Sequence, residues 1–115
     1  MKDARYELLE QGKTVVANIK TDKTLVEWAG DRAVYIGRRG RHGIKESPWH
    51  NRYRVPQDAA TNEEAVAKYR DYLLANPDLL ARIEELRGKL LVCWCYPKPC
   101  HGNVLIEFLE EAAAQ

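Results

Sequence analysis

Apolar residues recur along this chain with two different periods, and each period predicts its own kind of element. Thr14 to Lys20 (TVVANIK) and Ala33 to Gly37 (AVYIG) are short runs rich in β-branched and aromatic side chains, and they read as strands. Leu90, Leu91 and Val92 form a third run without polar interruption, as a buried strand does. From residue 61 the period lengthens. Thr61 followed by Glu64 makes a capping box, and Val66, Tyr69 and Leu73 recur behind it at helical spacing. Asn76-Pro77 ends that helix and opens another. Pro77 suits a first helical position, Leu79, Leu80, Ile83 and Leu86 form an apolar stripe, and Gly88 fits a C-terminal cap. Val104, Leu105, Phe108 and Leu109 predict a closing helix. Between the second strand and the first of these helices, Arg38 to Arg54 reads as a long, glycine-bearing loop. Loops beyond about 12 to 15 residues in a compact domain are usually functional or disordered.

Strands and helices mixed in this order predict a small α/β layered fold, one domain over residues 1–115, with a largely parallel sheet flanked by helices. In such folds sites gather outside the carboxyl ends of strands. The ends of AVYIG and of LLVCWC both meet that description, so the loop after the first and the cysteines of the second are expected to line one cleft.

Cysteine usage sharpens this picture. All three cysteines fall in the stretch CWCYPKPCHG, at a predicted strand-to-helix junction. On a strand side chains alternate, so Cys93 and Cys95 are expected to project from one face and Trp94 from the other. Pro97 and Pro99 stiffen the turn, and Cys100 and His101 fall near the first turn of the helix. An odd number of cysteines, two of them only two apart, does not suit a secreted disulfide framework. The charged start MKDARYELLEQGK has no signal-peptide core and no run has the length of a membrane span, so a soluble cytoplasmic protein with reduced thiols is expected. The formal net charge of +1 hides an uneven distribution. Arg38, Arg39, Arg41, Lys45, Arg52 and Arg54 crowd one segment against the single acid Glu46.

Three readings of the cysteines follow. Cys93, Cys95, Cys100 and His101 are soft S and N donors for zinc, or three thiolates for an iron–sulfur cluster. Without a metal, a thiol beside a histidine at a helix N-terminus is the setting of a nucleophile, and the basic loop would hold an anionic substrate such as a nucleotide against it. Packing alone would account for Cys93 in its apolar run, but not for a Cys-His pair in a proline-bounded turn. His42 and His50 read as solvated loop residues. Trp28, Trp49, Tyr53, Tyr69 and Tyr72 could stack on bases, although anchoring a core or loop is the commoner use of such residues.

VYIGR at Val34 to Arg38, Trp49 and Asn51 beyond it, ELRGK at Glu85 to Lys89 and CWCYPKPCHG at Cys93 to Gly102 together resemble the domain-of-unknown-function 4326 family, over a core of about residues 33–113. The closing cysteines are similar, more distantly, to the domain-of-unknown-function 488 family. The resemblance implies a small prokaryotic or phage domain with a shared cysteine site, and no known reaction. Where it leads one to expect Gly-Asn-Pro-aromatic after the tryptophan, this chain has His50, Asn51, Arg52 and Tyr53. The resulting expectation is a catalytic or metal centre of Cys93, Cys95, Cys100 and His101. Tyr35, Gly37, Arg38, Arg41, Trp49 and Asn51 are the expected ligand contacts: Gly37 for close backbone approach, Arg38 for a bidentate anion contact and Asn51 for a polar one. The function expected is a thiol- or metal-dependent enzyme on a nucleotide, modified base or other phosphorylated ligand. The alternative is a non-enzymatic nucleic-acid-binding module with a structural zinc.

Overall fold

The computed structural model describes residues 3–38 and 44–114. Three strands, β1 (Val15–Asn18), β2 (Ala33–Tyr35) and β3 (Leu90–Cys93), pair in parallel in the order β1-β3-β2, so the last strand enters between the first two. The register sets Val15 against Leu90 and Asn18 against Cys93 on one side, and Ala33 against Leu90 on the other. The helices are α1 (Ala4–Glu10), α2 (Lys23–Ala29), α3 (Asn62–Leu74), the single turn α4 (Pro77–Leu80) and α5 (His101–Ala114).

The uninterrupted apolar run of β3 is explained by its place in the middle layer. Leu90 and Val92 pack with Leu9 of α1 and with Leu25 and Ala29 of α2. Leu91 and Cys93 pack the opposite way, with Tyr69 and Leu73 of α3 and Val104, Leu105 and Leu109 of α5. A strand covered on both faces has no polar face to show, as expected of parallel sheets. The result is a three-layer α/β domain. Among the described residues no helix is long and apolar enough to cross a membrane.

Several details follow the sequence closely. Thr61 caps α3 by accepting from the Glu64 backbone N–H at 3.1 Å, while the Glu64 carboxylate accepts from the Ala60 N–H at 3.2 Å. Pro77 opens α4, and Gly88 adopts φ +75°, a conformation that favours glycine. Others depart from it. The stripe from Leu79 to Leu86 is not one helix: α4 ends after one turn and Ile83–Leu86 form a 3-10 turn. That turn brings Ile83 and Leu86, three apart and hence eclipsed, onto the α3/α5 core. The charged N-terminus and the polar stretch around Trp28 carry α1 and α2, which the strand-centred reading did not anticipate.

Candidate thiol site

Strand β3 ends at Cys93, so the expected alternation through Cys95 does not apply. Residues 94–100 form an irregular turn instead, and α5 begins at His101. That turn folds the cysteines together. Cys100 Sγ stands 3.0 Å from Cys93 Sγ, with the Cys100 thiol donating. The Gly102 N–H donates to Cys100 Sγ at 3.4 Å, and the Cys100 N–H donates to the Asn103 side-chain oxygen at 3.2 Å. A Cβ on Gly102 would come within 3.1 Å of both Ile36 and Val16, so a small residue here lets the start of α5 lie against the sheet.

His101 is buried and locked. Its Nε2 lies 2.7 Å from the Ile36 carbonyl oxygen, which can only accept, so Nε2 carries the proton in the neutral ring. Nδ1 is then the acceptor, and it faces Cys100 Sγ at 3.8 Å. The ring also packs edge-on against Tyr69, with centroids 4.9 Å apart. Burial first, and then the positive charges of Arg38 and His50, bring its pKa down to about 4 against the pull of the Ile36 carbonyl.

The thiols divide the work of ionisation. The single Cys100 proton is donated to Cys93; that hydrogen bond first, then the neighbouring Cys95 sulfur that competes for the same proton, and then burial push the Cys100 pKa up. The interaction with the Cys100 thiol is the main reason the other two fall. Cys95 is lowered to about 6, opposed by burial and helped by the charges of Arg38 and Lys98. Cys93 is lowered as well, aided by the backbone N–H groups of Tyr96 and Cys95. Cys93 and Cys100 are buried, whereas Cys95 is half-buried, so Cys95 is the most accessible of the three thiols.

A cleft of about 1220 Å³ opens over this turn. Cys93, Cys95 and His101 line it together with Tyr35, Gly37, Arg38, Asn51, Arg52 and Arg54. The loop after β2 and the turn after β3 therefore do share one cleft at the carboxyl ends of their strands. Its cations exceed its carboxylates: Asp58 is 3.9 Å from Arg54, and Glu46 is 3.5 Å from His50.

The other expected contacts fare differently. Trp49 is in the core, where its carbonyl accepts from the Tyr69 hydroxyl at 2.6 Å, and it does not line the cleft. Asn51 lines the cleft, but its side chain is spent on the Ala65 carbonyl at 3.2 Å and the Tyr53 N–H at 2.9 Å. Gly37 lines the cleft, and it also makes room for Tyr35, because a Cβ there would clash with the Tyr35 hydroxyl oxygen. Arg41, with Arg39 and His42, lies outside the described residues.

A family model described as Domain of unknown function (DUF4326) matches residues 17–111. The chain belongs to the DUF4326 family. The match begins at residue 17 rather than near 33, and so takes in the end of β1 and all of α2. "Uncharacterized protein R718" of Acanthamoeba polyphaga mimivirus is 33% identical over 104 residues, 81% of this chain and 77% of its own length. The "Uncharacterized 12.4 kDa protein in nrdA-td intergenic region" of Enterobacteria phage T4 is 36% identical over 55 residues, 44% of this chain and 51% of its own. No solved structure matches.

Two residues outside the expected site set help build the cleft of this DUF4326 domain. Asn18, buried at the end of β1, donates from Nδ2 to the carbonyls of Trp94 at 3.1 Å and Tyr96 at 2.8 Å, the residues on either side of Cys95. Its Oδ1 accepts from the N–H groups of Lys20 and Thr21 at 2.8 and 3.1 Å. Nothing local in TVVANIK signals that role. Trp94, expected on the face away from the thiols, lines the cleft, because the chain has left the strand by that point.

As metal donors the residues are crowded. Two sulfurs on one tetrahedral zinc at ~2.3 Å stand about 3.8 Å apart. The 3.0 Å between Cys93 and Cys100 is shorter than that. Among the described residues no group of three or more His, Cys, Asp or Glu is arranged to hold a metal ion.

Proposed function

We propose that the cleft is a thiol-dependent active site for a nucleotide, a modified base or another phosphorylated ligand, with Cys95 as the nucleophile. One observation carries the reading: Cys93, Cys95 and His101 line the same cleft as Arg38, Arg52 and Arg54. A thiolate with a pKa near 6 is largely formed at neutral pH, while Cys100 keeps its proton in the contact with Cys93. Guanidinium groups at the cleft are suited to phosphate oxygens, which they bind through paired N–H donors. Arg38 has two parts in this account, since its charge both favours the Cys95 thiolate and draws an anion. His101 acts through Cys100 and is a positioning residue.

The test is mapped alkylation of the full chain by iodoacetamide at pH 7, with metal analysis of the same sample. Cys95 is expected to react before Cys93 and Cys100, to be shielded by nucleoside monophosphates, and to lose that shielding in Arg38→Ala. Absence of shielding by any phosphorylated compound contradicts the ligand assignment. Thiols that react only after chelation, in protein carrying stoichiometric zinc, would replace this reading by the nucleic-acid-binding module with a structural metal.

A further inference from the structure

Trp94 is 49% exposed, an unusual state for so large an apolar side chain at the mouth of a cleft. Its orientation is nonetheless fixed. The indole Nε1–H donates to the Tyr35 hydroxyl oxygen at 2.9 Å, and that hydroxyl donates to the Arg38 carbonyl at 2.5 Å. Tyr35 can lie there only because Gly37 has no Cβ. The ends of β2 and β3 are thus tied together through one aromatic pair, with Arg38 at one end of the chain of bonds and Trp94 at the other.

The other exposed tryptophan shows what a satisfied ring looks like. Trp28 has the Arg32 guanidinium over its face at 4.4 Å and the edge of Tyr6 at 4.8 Å. Among the described residues no aromatic ring or guanidinium stacks on Trp94. Arg38 is likewise exposed and makes no salt bridge among the described residues. An oriented, unstacked indole and an unpaired guanidinium on one wall match the two halves of a nucleotide, a planar base and a phosphate. The cleft, at about 1220 Å³, has room for both.

We infer that Trp94 is the specificity-determining residue of this cleft, a stacking platform that selects phosphorylated ligands bearing a nucleobase. The inference rests on the reading of the cleft as a phosphorylated-ligand site, and it narrows the ligand to nucleotides. A base stacked on Trp94 would sit beside the residue next in the chain, Cys95.

Calorimetric titration of the full chain with nucleoside 5′-monophosphates and with ribose 5-phosphate separates the two claims. Base stacking on an aromatic side chain amounts to ~1–3 kcal/mol, so the nucleotides should bind roughly 5- to 150-fold more tightly than ribose 5-phosphate. Trp94→Ala should abolish that preference and leave ribose 5-phosphate binding unchanged, and Trp94→Phe should retain most of it. If Trp94→Ala keeps the preference, or the unaltered chain shows none, the platform is overturned while the phosphate site stands. If neither ligand binds, both readings fail together. Tight binding of a single-stranded oligonucleotide with no mononucleotide binding would overturn the inference in favour of a nucleic-acid surface.

Discussion

Asn18 and Cys93 are register partners at the carboxyl ends of adjacent parallel strands, yet the two strand ends are finished in opposite ways. At the end of β1 the polar groups are spent. Asn18 uses its amide on four backbone groups, and its own N–H donates to Asp22 at 2.8 Å. Asp22 in turn pairs with Arg5 at 2.9 Å, and Arg5 also donates to the Val16 carbonyl and lies over the Tyr96 ring at 4.9 Å. At the end of β3 the side chains are sulfurs sharing protons beside an open cleft. The closed end holds the open one. Asn18 and Arg5 both grip the turn that carries Cys95, so the cysteine's position is set by a strand that contributes no reactive group.

Acid should show the largest difference between the two ends. His101 has a pKa near 4 in the folded protein and 6.5 otherwise, so the unfolded chain takes up its proton first as the pH falls. The stability this confers is complete above about pH 6.5 and is lost as the pH drops through 4, a change of about 3 kcal/mol. Asp3 and Asp22, held below the usual carboxylate range chiefly by hydrogen bonds from Arg5, lose their share at lower pH, through their depressed folded values. Urea unfolding at a series of pH values should therefore fall first in the His101 window and then again in stronger acid. A flat profile between pH 7 and 4.5 would show that His101 is not buried neutral.

Removing the clamp comes next in size. Asn18→Ala leaves two carbonyls and two N–H groups without their partners and should cost about 2 kcal/mol, read by urea unfolding at pH 7. It should also slow Cys95 alkylation, because the turn is no longer held against Cys100. Unchanged alkylation in a folded variant would mean that the two strand ends are independent.

The smallest effect on stability is expected from Tyr35→Phe. Its hydroxyl is half-exposed, and water can replace the lost bonds to Trp94 and Arg38, so the change should stay below ~1 kcal/mol. The preference for a nucleobase should nonetheless weaken, since the indole is no longer fixed. A stability loss as large as that of Asn18→Ala would place Tyr35 with the scaffold instead.

The same contrast explains what could be read from the sequence. The apolar run of β3, the Thr61 cap, Pro77 and the Gly88 turn were legible because each is a local signal with a local cause. The clustering of the cysteines pointed to the turn for the same reason. Asn18 was not legible, because its partners Trp94 and Tyr96 are remote in the chain and an asparagine in a strand-like run carries no mark of them. The alternation that puts Trp94 on the face away from the thiols runs through Cys95, two residues past the end of the strand. Trp49 and Asn51 came from the family resemblance, which says that residues matter without saying whether they touch a ligand or hold a loop. Here Trp49 lies in the core and the Asn51 amide is spent on backbone groups.

The central claim is that Cys95 is an accessible thiolate made by its neighbours, and the pH dependence of its alkylation tests it most directly. The fraction of Cys95 carboxamidomethylated in a short pulse of iodoacetamide, mapped by mass spectrometry between pH 5 and 10, should rise with a midpoint near 6. Cys100 should lag far behind it across that range, holding its proton in the buried contact with Cys93. A Cys95 midpoint near the ordinary thiol value of 9, or Cys100 reacting first, would contradict the account.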